Sequence, residues 1–177
     1  MKTRVTTLLL VVTLAAAGAV PAMAQQKPPL SPPGQAAATI GAATITIDYA
    51  RPSMRGRKIM GELVPYDKVW RTGANAATTL KTSAALEIGG TLVPAGTYTL
   101  YTLPGEKAWK LIINKQTGQW GTQYDQAQDL ARVDLKVGAT AAPVEQFVIT
   151  LAGTGAAAGL LTMEWENTKL TIPFTVK

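Results

Sequence analysis

The chain has 177 residues, with 17 Lys and Arg against 11 Asp and Glu, and contains neither His nor Cys. These counts exclude disulfides, His-dependent triads and His or Cys metal sites, leaving carboxylate, tyrosine, lysine and arginine groups for any chemistry. The three serines, Ser31, Ser53 and Ser83, open no Ser-x-x-Lys spacing, and no phosphate loop or dinucleotide fingerprint occurs.

The N-terminus carries Lys2 and Arg4, then an uncharged apolar stretch from Leu8 to Val20, then Ala22-Met23-Ala24. This is the layout of a cleavable secretory signal, expected over residues 1–24. The stretch is shorter than the roughly 20 apolar residues of a membrane span and is interrupted by Gly18 and Pro21. With no Cys at the cleavage site, lipid attachment there is excluded, and no later run is long enough to span a bilayer. A soluble exported product is expected, periplasmic or extracellular.

Residues 25–36 hold Pro28, Pro29, Pro32 and Pro33 and read as an extended linker or arm. Residues 37–177 are then long enough for a single β domain with its own core. Removing Lys2 and Arg4 lowers the formal charge from +6 to +4. Arg51, Arg55, Arg57, Lys58, Lys68 and Arg71 against Glu62 and Asp67 account for all of it. An exported chain without a nucleic-acid motif argues against nucleic acid as the anionic partner.

From Thr44 the apolar period is two. Ile45, Ile47 and Tyr49 share one face, and Arg51-Pro52 ends the strand. Strands are expected over 78–82, 86–88, 91–93, 97–103 and 109–114, with Gly89-Gly90, Pro94-Ala95-Gly96 and Pro104 to Lys107 as turns. Only Gln123 to Leu130 reads as a short helical turn. Ala131, Val133, Leu135 and Val137 alternate with Arg132, Asp134 and Lys136. Strands then follow over 147–151, 160–166 and 169–176, the last two separated by a turn at Asn167-Thr168, with Pro173 suggesting an edge strand. The fold class expected is all-β, an antiparallel sandwich or partly open barrel with at most one or two short helical turns.

Functional chemistry concentrates between Arg51 and Asn75, where four of the five arginines of the mature chain sit among Gly56, Gly61 and Gly73. Guanidinium forks match carboxylate, phosphate or sulfate, and an indole or phenol adds a stacking face. The candidate ligand-binding residues are Arg51, Arg55, Arg57, Trp70, Arg71 and Asn75. A second candidate is Gly118-Gln119-Trp120-Gly121, contributing Trp120, with Tyr124 beyond it. The competing reading pairs Arg51 with Asp48 or Glu62 and makes Tyr66, Trp70 and Trp120 core plugs. Glu164 and Glu166 share a strand face and read as solvated, although paired carboxylates also serve glycosidases.

The blocks Tyr49-Ala-Arg-Pro-Ser-Met-Arg-Gly-Arg-Lys-Ile59, Leu63-Val-Pro-Tyr66, Val69-Trp-Arg-Thr-Gly-Ala-Asn75, Pro94-Ala-Gly-Thr-Tyr98, Leu103-Pro-Gly-Glu-Lys-Ala-Trp109 and Gln119-Trp-Gly121 occur in that order. In this the chain resembles the bacterial domain-of-unknown-function family 2911 over nearly all of the mature sequence. The resemblance implies an exported all-β protein, no assigned activity, and a common site for the arginine segment and the Gln-Trp-Gly loop. Ala76 stands where that family commonly carries an acidic residue after the asparagine, which argues against a catalytic carboxylate there. The function expected is a binding or structural module for an anionic or polar ligand such as a glycan, carboxylate or phosphate, with no metal or cofactor. The alternatives are a hydrolase or isomerase using Asp48, Glu62 or Asp67 in an arginine-lined cleft, and an accessory subunit that binds another protein.

Overall fold

The computed structural model describes residues 29–177. The expected signal, residues 1–24, and residues 25–28 of the expected linker lie outside the described residues. The strands are β1 Pro33–Ile40, β2 Ala43–Ala50, β3 Thr78–Thr82, β4 Leu86–Ile88, β5 Thr91–Val93, β6 Gly96–Leu103, β7 Trp109–Asn114, β8 Asp129–Gly153 and β9 Ala158–Val176. Among the described residues a single 3₁₀ turn, Gln126–Gln128, opens β8, with the Asp125 side chain accepting from the Ala127 amide. Every pairing is antiparallel, in the order β1-β2-β3-β6-β7-β8-β9-β4-β5. The chain is therefore all-β, as its period-two pattern predicts. Among the described residues no helix is long and apolar enough to cross a membrane.

The long strand β8 turns this ribbon of strands into a body with an interior. Residues 129–135 pair with β7, and from Lys136 onward the same strand pairs with β9. Register shifts between Ala139 and Val144 and between Val144 and Val148 bend it, as bulges do. The bend carries its second half against β1 and the end of β2. There the Ile149 amide donates to Tyr49 Oη at 2.9 Å, and the Phe147 amide donates to the Pro52 carbonyl at 2.9 Å. Ile45, Ile47, Leu100, Leu111 and Ile113 then face Leu161, Met163, Trp165, Ile172 and Phe174 in one buried cluster.

Four local expectations change. β1 begins at Pro33, inside the segment the sequence assigns to the linker. It pairs with β2 along its whole length across a two-residue turn at Gly41 (φ 58°), and the Arg51 amide donates to the Pro32 carbonyl at 2.8 Å. Asn167-Thr168 is not a turn, because β9 continues through it. The irregularity is absorbed at Glu166, in the left-handed region at φ 53°, while Thr168 and Lys169 stay paired with Ala139 and Gly138. β9 is not an edge strand: Pro173 falls between the end of the β8 ladder at Thr171 and the start of the β4 ladder at Phe174, where a missing N–H breaks no pair. Val137 is exposed, since the apolar alternation of β8 ends where the strand leaves β7.

Candidate functional site

Between β2 and β3 the chain runs for 27 residues without a regular strand, held by isolated bridges Ser53 to Gln146, Trp70 to Thr102 and Ala76 to Trp120. Its backbone is unusual. Arg55, Asp67, Thr72 and Asn75 all have φ between 51° and 61°. A β-branched residue in that region costs on the order of 1–3 kcal/mol and persists only where its surroundings hold it. Thr72 is fully buried. Its hydroxyl donates to the Trp70 carbonyl at 3.3 Å and bonds the Thr102 hydroxyl at 3.2 Å, while its carbonyl accepts from Thr78 Oγ1 at 2.7 Å. Earlier in the loop the Glu166 carboxylate accepts from the amides of Ile59 and Met60 at 3.2 and 3.0 Å. Glu166 is thus a strut for the loop rather than a solvated acid, and Glu164 pairs with Lys169 at 3.1 Å.

This loop walls a cavity of about 520 Å³, within the range of small-molecule sites. Its floor is aromatic. Trp70 stacks on Trp165 with centroids 5.7 Å apart at 20°, and Phe147 meets Trp70 edge-on at 5.1 Å. A second wall is Tyr101 with Tyr124, edge-to-face at 4.9 Å. Leu63 and the arm residues Leu30 and Ser31 complete the rim.

Two guanidinium groups line the cavity, and both are pinned by backbone oxygens. Arg71 Nε donates to the Gly73 carbonyl at 3.3 Å. Its side chain lies across Gly121, where an added Cβ would stand 2.7 Å from Arg71 Cδ and 2.8 Å from the Asn75 carbonyl oxygen. Arg57 donates from Nε to the Met54 carbonyl at 2.9 Å and from Nη2 to the Ser53 carbonyl at 2.7 Å. No Asp or Glu lines the cavity, and among the described residues neither arginine forms an ion pair. The arrangement is a fixed positive charge beside apolar ring faces.

Of the candidates, Arg57, Trp70, Arg71, Asn75 and Tyr124 line the cavity, while Arg51, Arg55 and Trp120 do not. Arg51 lies over Gly34, where a Cβ would come within 2.6 Å of its Cδ, and its Nε is buried without a hydrogen-bond partner. Trp120 is 52% exposed, although the next residues, Gly121 and Thr122, are cavity residues. The expected pairing of Arg51 with Asp48 or Glu62 does not occur. Asp48 accepts from Gln35 at 2.6 Å and pairs with Lys81 at 3.3 Å, and Glu62 stands 3.8 Å from Lys58. The Gln35 hydrogen bond and the Lys81 ammonium hold the Asp48 carboxyl below its ordinary range, against a smaller opposing effect of burial.

Arg55 has a different task. Its Nη2 donates to the Leu30 carbonyl at 2.7 Å, and its amide donates to Glu145 Oε1 at 2.9 Å. Leu30 is 66% exposed, so the arm is held at the rim by this bond rather than by burial. Arg55→Ala is expected to leave global stability within about 1 kcal/mol of the parent. Backbone order parameters at Leu30 and Ser31 should fall in 15N relaxation. Unchanged order there would show that the bond does not hold the arm.

Tyr101, Trp165, Leu30, Ser31 and Leu63 are cavity residues that sequence reasoning did not single out for the site. Trp165 carries a period-two signal for burial but none for a cavity. Tyr124 Oη donates to Asp129 Oδ2 at 2.6 Å and accepts from Arg132 Nη2. Desolvation, then the Asp129 carboxylate, pushes the Tyr124 hydroxyl up to about 12, against the opposing pull of Arg132. Hydrogen bonding to Asp129 raises Arg132 above its ordinary value. Tyr124 is thereby a neutral, fixed wall. Among the described residues no cluster of three His, Cys, Asp or Glu side chains suits a metal ion.

No curated protein and no solved structure matches the chain. A model of the family described as "Protein of unknown function (DUF2911)" matches residues 31–174, which include the whole loop, the Gln119-Trp120-Gly121 loop and every residue of the cavity except Leu30. The chain belongs to this family.

Proposed function

We propose that the protein is a binding module for a small anionic ligand, taken up in the cavity between the 51–77 loop and the Tyr101–Tyr124 wall. The observation that carries this reading is the pair Arg57 and Arg71, pinned by backbone carbonyls in a cavity with no carboxylate. A guanidinium tied to a neutral oxygen keeps its full charge, and one already oriented loses little entropy on meeting an anion. The strain held at Thr72 supports the same reading, since backbone outliers persist where a site is pre-shaped.

Catalysis by the acids of this region has no comparable support. Glu62 and Asp67 do not line the cavity, and Asp48 lines a separate hollow while engaged by Gln35 and Lys81. The test is a thermal-shift screen of the mature protein against carboxylates, phosphates, sulfate and acidic sugars, followed by calorimetry on the hits. Arg71→Ala should weaken a hit at least tenfold, from the roughly 1.5–3 kcal/mol of a hydrogen bond to a charged group. Removing the exposed Lys136, which is not a cavity residue, should leave it unchanged. Equal loss in both variants would reduce the effect to net charge and sink the proposal.

A further inference from the structure

We infer that the ligand is an amphipathic organic acid, with one acidic head for the guanidinium groups and a flat apolar body for the indole floor. This rests on the anion-binding reading and specifies the remainder of the molecule. The cavity is far larger than an inorganic anion, and about half of its lining is apolar, with Leu63, Val64, Val69, Trp70 and Trp165 contributing hydrocarbon or ring faces. A bare phosphate or sulfate would leave those faces wet.

Three of the four aromatic walls also have their polar atoms occupied by the protein. Trp165 Nε1 donates to the Glu145 carbonyl at 3.2 Å, and Tyr124 Oη is shared between Asp129 and Arg132. Tyr101 Oη donates to the Gln123 carbonyl at 3.0 Å and accepts from Gln119 Nε2 at 3.1 Å. These side chains therefore present ring faces to the cavity rather than donors and acceptors. A polyol bound against them would bury hydroxyls without partners, a penalty on the order of 1–3 kcal/mol for each group. A planar or aliphatic body carries no such penalty and covers the Trp70–Trp165 stack. The open donors are on the guanidinium groups, since Arg71 bonds the protein through Nε and Arg57 through Nε and Nη2. The acid belongs there.

The experiment is calorimetry on the mature chain. The probes are benzoate, 3-phenylpropanoate, indole-3-acetate and octanoate, compared with inorganic phosphate, glucuronate and uncharged indole. At least one apolar acid is expected to bind tenfold or more tightly than phosphate, glucuronate and indole, and to lose that advantage in Arg71→Ala. Leu63→Ser, at a rim position 44% exposed where the variant should fold, is expected to weaken the same acid several-fold while leaving phosphate unchanged. Arg71-dependent binding of phosphate or glucuronate as tight as any apolar acid overturns the amphipathic assignment and leaves the anion reading standing. Uncharged indole binding as tightly as the tightest acid, or no Arg71-dependent binding by any probe, overturns both.

Discussion

Trp165→Ala should lower stability by about 3–5 kcal/mol, the cost typical of truncating a buried large aromatic side chain. Trp165 is 2% exposed and sits against Trp70, Phe147 and the cavity, with its ring N–H spent on the Glu145 carbonyl. Truncation removes the stacking partner of Trp70, while the Glu145 carbonyl keeps its bond from the Met54 amide at 2.8 Å. Against a total of about 5–15 kcal/mol for a domain of this size, such a loss leaves the protein near its folding threshold. Urea denaturation reads it as a large fall in midpoint with little change in slope. Trp120→Ala, at a ring 52% exposed, should cost under about 1 kcal/mol in the same assay. Equal costs for the two would mean that the indole stack is not packed as described. Trp165→Phe keeps an aromatic surface and separates lost packing from outright failure to fold.

The two tryptophans also show what a sequence can and cannot say. Trp165 follows Met163 at period two, and burial was legible from that spacing. That it floors a cavity was not, because the other half of the floor, Trp70, comes from a loop distant in the chain. The strand bounds of β3, β4, β5 and β7 agree with the alternation residue for residue, since a half-buried strand writes its face directly into the sequence. β1 was missed over Pro33 to Ile40 because Ala36-Ala37-Ala38 carries little β preference and prolines precede it. Its burial depends on β2, which local propensity does not report. Asn167-Thr168 looked like a turn for the related reason that bulge and turn share polar residues.

The arginine segment was legible as a region through composition alone. Its division of labour was not. Arg55 and Gly56 both take positive φ, so side chains a residue or two apart diverge. Arg57 then reaches the cavity, while Arg55 reaches the Leu30 carbonyl. Arg71 enters because Gly121 leaves room for it, a contact between two segments that each looked like a separate candidate. Absence of His and Cys leaves carboxylate, tyrosine, lysine and arginine groups as a matter of inventory. The missing carboxylate at the cavity, by contrast, depends on Asp48, Glu62 and Asp67 facing elsewhere, which only the fold decides.

Asp129 should be the most costly polar position to remove, at about 3 kcal/mol for Asp129→Ala, as for loss of one partner from a poorly exposed charge network. Its side chain is 11% exposed and accepts from Tyr124, from Arg132 at 2.7 Å and from Asn114 Nδ2 at 2.8 Å. Tyr124→Phe should cost less, about 1–2 kcal/mol, because the Asp129–Arg132 pair survives it. The two variants also differ from the parent in alkaline solution. In the unfolded chain Tyr124 releases its proton near pH 10, while in the folded protein it holds the proton to about 12. A group whose folded value is raised contributes stability that is complete below the unfolded value and is lost as pH rises through the folded one. The advantage of the parent over Tyr124→Phe should therefore be constant up to about pH 9 and narrow between pH 10 and 12. Denaturant midpoints taken across that window measure it, and taking the difference cancels contributions from the other groups. A gap that stays constant to pH 12 would show that Tyr124 ionises alike in both states, and the fixed, neutral wall assigned to it would have to be abandoned.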